Sequence, residues 1–132
     1  MVNHYLMNPK QFLQIGGGVL LLVGLLGFGG IIGPTPEKSL FGAFWWFDNY
    51  ENVVHTLLGV VGILASFVLP HHYQKPLVIL LGVVALFFAV YSGLIDMNFL
   101  GATLENPADT VLHLVVGVWA LWAAMRSEGG MM

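Results

Sequence analysis

Apolar positions gather into four long runs, and the polar and helix-breaking residues gather between them. A helix needs about 20 apolar residues to cross the hydrocarbon core of a bilayer, and four segments meet that length. The first runs from about Phe12 to Gly33 and stops at Pro34 and Pro36. The second runs from about Asn52 to Leu69 and stops at Pro70; the third starts after Pro76 and continues to about Ile95; the fourth runs from about Asp109 to Met125. The breakers lie in GPTPEKS, LPHHYQKP and GATLENPAD. The stretch HHYQKP is long enough only for a tight turn, so the second and third helices form an antiparallel pair. The N-terminal MVNHYLMNPKQFLQ is polar for longer than the n-region of a signal peptide, so the first run reads as a retained transmembrane helix. The expected fold is an all-α membrane protein, one transmembrane domain over residues 1–132, made of two tandem helical hairpins.

The second and fourth helices begin alike. Glu51-Asn52-Val53-Val54-His55-Thr56-Leu57-Leu58-Gly59 aligns without a gap on Asp109-Thr110-Val111-Leu112-His113-Leu114-Val115-Val116-Gly117. In each, an acid precedes the His by four residues and a Gly follows it by four. The chain therefore divides into repeats 1–70 and 71–132. An even number of helices per repeat keeps both copies in one orientation, so the hairpins should be related by a pseudo-two-fold axis along the membrane normal. The first and third helices then correspond, with a likeness of composition only.

With these motifs, ENVVHTLLG and DTVLHLVVG, the chain resembles the small four-span bacterial membrane family known as domain of unknown function 4383. The resemblance covers most of the chain and implies an architecture, without an activity. The long aromatic first loop departs from the family's pattern and could mark a specialised member.

Composition fits the same picture. Of 132 residues, 58% are hydrophobic and 8% charged, with a mean hydropathy of +0.84. A soluble fold of this size could not hide so much apolar surface. The net charge is -3 and no basic cluster exists, so nucleic acid is not an expected partner. There is no cysteine, which excludes disulfides, thiolate metal sites, thiol catalysis and c-type haem attachment. Lys10, Lys75 and Arg126 fall on one side of the four-span arrangement, and Lys38 on the other. Six of the seven acids, Glu37, Asp48, Glu51, Asp96, Glu105 and Asp109, share the side of Lys38. By the positive-inside rule both termini are cytoplasmic and the acidic loops face outward, in a bacterial inner membrane.

Candidate chemistry centres on the repeated motif. Each acid, His and Gly lie on one helical face, with the acid at the rim. In the structural reading, Glu51, Asn52, His55, Asp109 and His113 make polar contacts between the hairpins, and Gly59 and Gly117 let helices approach. In the cofactor reading, His55 and His113 are axial ligands of haem b or of (bacterio)chlorophyll, and each Gly leaves room for the macrocycle. A proton relay, or a zinc site from two His and two acids, comes last, because helices one and three carry few polar residues at mid-depth. No catalytic residue and no metal ligand is assigned. Gly29 and Gly33 match a close-packing motif, and Phe44, Trp45, Trp46, Phe47 and Tyr50 suit a membrane–water interface or a docking surface. His4, His71 and His72 read as solvated at headgroup level. The expected function is a non-enzymatic scaffold or accessory subunit of a larger membrane complex, respiratory or photosynthetic. Its partners would be lipids and other membrane subunits, or further copies of itself. A haem or chlorophyll subunit is the alternative, and a small transporter or ion-conducting oligomer the third.

Overall fold

The computed structural model describes residues 8–130, with side chains through Arg126. His4 lies outside the described residues. Four helices dominate: α1 (Pro9–Phe28), α2 (Asn49–Val68), α3 (His71–Leu94) and α4 (Ala108–Gly130). A two-stranded hairpin, β1 (Asn98–Phe99) and β2 (Ala102–Thr103), lies between α3 and α4. All four helices are long and apolar enough to cross a bilayer. Large apolar side chains such as Leu22, Leu57, Phe67, Leu80 and Val115 stand exposed along them.

Local signals explain the helix ends, and two differ from the expected ones. Asn8 caps α1, accepting from the Gln11 N–H at 2.8 Å, and Pro9 takes the first helical position, where its missing N–H costs nothing. Asp48 and Glu51 form a reciprocal capping box that starts α2 at Asn49. α1 ends at Phe28, five residues before Gly33, because the chain turns at Gly30 with φ +82°. α3 begins at His71, so HHYQKP is helical and only Leu69 and Pro70 join the two helices. Pro76 sits inside α3 near its start, where one backbone hydrogen bond is lost. Gln74 explains why this helical start is stable. It is buried, and its amide donates to the Ser66 and Leu69 carbonyls at 3.1 and 3.2 Å, satisfying the last turn of α2.

α1 packs along α2, and α3 along α4, as two antiparallel hairpins with lighter contact between them. Lys10, Lys75 and Arg126 therefore share one end, the basic end, and six of the seven acids share the other, the acidic end. The apolar core lies toward the basic end, where Phe12, Leu13, Ala65, Val78, Ala120, Ala123 and Ala124 cluster. Phe12 also meets Trp119 edge to face at 4.6 Å, joining α1 to α4.

Burial repeats along both hairpins. On α2 and α4, positions 58 apart share burial at Glu51 and Asp109, Gly59 and Gly117, Gly62 and Ala120, and Ala65 and Ala123. On α1 and α3, positions 65 apart share burial at Leu13 and Val78, Gly17 and Gly82, Gly24 and Ala89, and Gly27 and Ser92. The spacing changes because the first loop at the acidic end, 29–48, is seven residues longer than the second, 95–107. In hairpin one Asn52 fills the notch at Gly27; in hairpin two Thr110 hydrogen-bonds Ser92 at 2.7 Å.

Gly59 and Gly117 are the close-approach positions. A Cβ on Gly59 would stand 2.6 Å from the Gly17 carbonyl oxygen, and one on Gly117 would stand 2.6 Å from Leu86 and 3.1 Å from the Gly82 carbonyl. Gly29 and Gly33 do not form a helix-packing pair. Gly29 caps α1 and is exposed, and Gly33 lies in the following loop against the Phe47 carbonyl. Gly59→Ala is expected to lower stability by about 1–3 kcal/mol, since the obstructing atoms are backbone. Gly18→Ala, whose methyl meets nothing within 4 Å, should be neutral or stabilising by up to about 1 kcal/mol. Thermal unfolding of both variants in detergent micelles checks the contrast.

Candidate functional site: a buried carboxylate cluster under an aromatic cap

Loop 29–48 folds back over the acidic end as a cap. The Phe47 N–H donates to the Ile32 carbonyl at 2.8 Å and the Leu40 N–H to the Ile31 carbonyl at 2.8 Å. The Ser39 hydroxyl donates to the Trp45 carbonyl at 2.7 Å. This places the aromatic run against the helix N-termini and splits it. Phe44 and Tyr50 are exposed, while Trp45 and Trp46 are half-buried. Phe47 is not an interfacial residue. It is buried, packing on Trp45 at 5.3 Å and on His55 at 5.0 Å.

Under the cap lie three carboxylates. Glu51, Glu105 and Asp109 each offer an oxygen within 4.8 Å of the other two. They are 6, 7 and 1% exposed. Glu51 and Asp109 come from the N-terminal turns of α2 and α4, and Glu105 from the loop before α4. N–H groups hold them in place. The Trp45 indole donates to Asp109 Oδ1 at 3.0 Å, the Glu105 N–H to Asp109 Oδ2 at 3.0 Å, and the Trp46 N–H to Glu105 Oε1 at 3.3 Å. The Asp48 N–H donates to Glu51 Oε1 at 3.1 Å. Asp48 itself accepts from Glu51 at 2.9 Å and from the Thr103 N–H at 2.6 Å. Glu105 Oε2 is buried and has no hydrogen-bond partner.

These bonds also settle how the hairpins are joined at this end. Trp45, Trp46 and Asp48 of the first hairpin reach Asp109, Glu105 and Thr103 of the second. Of the five residues expected to link the hairpins, Asp109 does so by hydrogen bond. Glu51 bonds within its own capping box and meets the second hairpin only through the cluster. Asn52 donates to the Phe47 carbonyl at 3.3 Å, within its own hairpin. His55 and His113 make no linking hydrogen bond through Nδ1; both Nδ1 atoms are buried without a partner. Each imidazole packs on a ring of its own hairpin, His55 on Phe47 and His113 on Phe88 at 5.7 Å. The space one turn beyond each His is taken up by helix packing at Gly59 and Gly117. His71 and His72 are exposed at the start of α3, away from this cluster.

Glu105 carried no signal in the repeat, because its counterpart in the first hairpin belongs to a loop of different length. Its distance of four residues from Asp109 was the available clue. Two like charges 4.8 Å apart repel by roughly 3 kcal/mol at an effective dielectric of about 20. Burial, and then the charge of Asp109, push the Glu105 carboxyl up from 4.5 to about 8. A raised acid stabilises the fold fully below its unfolded pKa, and that contribution is lost as pH rises through the folded value.

No protein-family model, curated protein or solved structure matches the chain.

Two outcomes are expected. With chelator present, wild-type stability should decline between pH 4.5 and 8, and Glu105→Gln should flatten that decline; thermal melts across the pH series check it. Trp45→Phe should cost about 1–3 kcal/mol, because buried Asp109 loses a donor. Trp46→Phe keeps its backbone donor and should cost less in the same denaturation assay.

Proposed function

We propose that this chain is a multi-pass integral-membrane protein that works without catalysis, as a scaffold or accessory subunit of a larger membrane assembly. The observation that carries this reading is the use of the polar groups. The carboxylates and amides at the acidic end are engaged in holding the cap and the two hairpins together. Between them and the basic end, the buried positions are mostly Gly, Ala and aliphatic residues, and the hydroxyls of Ser66 and Ser92 bond carbonyls of their own helices. That packing supports a scaffold over a conducting path through one copy. The surface supports it as well. Leu100 is 86% exposed at the tip of the β-hairpin with φ 52°, a conformation costly for Leu, and Leu40, Phe44, Leu94 and Ile95 are exposed at the same end.

The repeated burial supports a pseudo-two-fold relation between the hairpins along the membrane normal. Three of the four basic residues at one end support a cytoplasmic placement of both termini in a bacterial inner membrane. Membership of the domain of unknown function 4383 family is part of the same proposal. The buried, unpartnered Nδ1 atoms of His55 and His113 favour a second reading, a subunit that ligates haem b or (bacterio)chlorophyll.

One purification separates them. The tagged chain, extracted from native membranes in mild detergent, is expected to run in a larger complex at fixed stoichiometry and without a visible chromophore. A colourless lone monomer would overturn the subunit reading. A Soret or far-red band that vanishes in His55→Ala/His113→Ala would establish the second reading in its place.

A further inference from the structure

We propose that Glu51, Glu105 and Asp109 form a binding site for one hard divalent cation of calcium size, beneath the aromatic cap. Two independent observations converge, the first being the cluster itself. The ligands are all carboxylate oxygens, which suit Ca²⁺ and related hard cations. Donors about 2.4 Å from a Ca²⁺ ion lie no more than about 4.8 Å from one another, and the three offered oxygens meet that limit. A smaller Mg²⁺ ion, at about 2.1 Å, draws its ligands closer and keeps more of its water.

Glu105 supplies the second, independent sign of a ligand. Its side chain is more than nine-tenths buried within the cluster, and Oε2 has no hydrogen-bond donor. With no N–H or hydroxyl donor at hand and the Asp109 carboxyl beside it, Oε2 can be satisfied only by a proton shared with Asp109 or by a cation. Its other oxygen is held by the Trp46 N–H, so the carboxyl group is fixed in orientation while Oε2 stays free. The remaining N–H donors, from Trp45, Glu105 and Asp48, likewise favour ionised carboxylates and orient them. Among the described residues no lysine or arginine enters the cluster, and the nearest titratable base is His113, one turn beyond Asp109 on α4. Lys10, Lys75 and Arg126 stand at the opposite end, and Lys38 is exposed on the cap.

The ion would join α2, the loop before α4 and α4 itself, so the bound cation would clamp the two hairpins where Trp45 and Asp48 already tie them. The inference does not depend on the assembly role proposed above. It can fail while the chain remains a subunit, and hold if the chain is a monomer.

The test uses the full chain, purified in mild detergent and stripped with chelator. Equilibrium dialysis against ⁴⁵Ca²⁺ is expected to give one site per chain, with a Kd on the order of 10⁻⁵ to 10⁻³ M. Binding should tighten as pH rises, because protons must leave the carboxylates. Ca²⁺ and Mn²⁺ should raise the melting temperature more than Mg²⁺ does. Glu105→Gln keeps the acceptor for Trp46 and the side-chain shape, and should weaken binding by about tenfold or more, whereas exposed Glu37→Gln should bind as wild type. Absence of a saturable site in the wild-type chain would overturn the proposal, whatever the variants do. Equal affinity in Glu105→Gln and wild type would overturn it too, by placing the ion elsewhere.

Discussion

Close backbone contact within each hairpin is the constraint on which the rest of the structure rests. Apolar side chains gain nothing by leaving lipid for protein, so helices proposed to lie in a bilayer must be held by packing and by polar contacts. Gly59 against Gly17, and Gly117 against Gly82 and Leu86, bring the backbones near enough for that packing. The same approach sets the register of each pair and so brings the N-terminal turns of α2 and α4 to a common level. Glu51 and Asp109 can then meet, and Glu105 can reach them from its loop.

The two ends solve the joining problem differently. At the basic end the hairpins meet through an apolar core, the Phe12–Trp119 contact and Gln74, whose amide closes the last turn of α2. At the acidic end they meet through hydrogen bonds to buried carboxylates. Buried carboxylates are an expensive way to fasten two halves together, since each charge loses its water and repels the others. An apolar contact would do the same mechanical task at lower cost. That imbalance is the reason to assign the acidic end a ligand as well as a structural duty.

The burial pattern recurs in the two hairpins even where the residues differ. Asn52 at Gly27 and Thr110 at Ser92 occupy equivalent places with different chemistry. In the first hairpin a large amide fills a notch left by glycine. In the second a threonine hydroxyl is hydrogen-bonded to a serine.

Sequence alone was enough for the four helices and for the placing of six of the seven acids at one end, because apolar run length and turn residues are local properties; the close pairs are α1 with α2 and α3 with α4, and the antiparallel pair expected of α2 and α3 is not among them. The sequence also determined that α2 and α4 repeat, since Glu51, His55 and Gly59 keep their spacing as Asp109, His113 and Gly117. Only the tertiary structure decided that HHYQKP is helical, because the reason is Gln74 reaching across to α2. The matching burial of α1 and α3 was hidden in the sequence by the seven-residue difference between loops. The candidate site was half legible. Two of its acids stand in the repeated motif, but Glu105, Trp45 and Asp48 come from loops of unequal length. Their meeting depends on how the cap folds back over the helix ends, and that is fixed by contacts between residues as far as 64 positions apart, which no local pattern records.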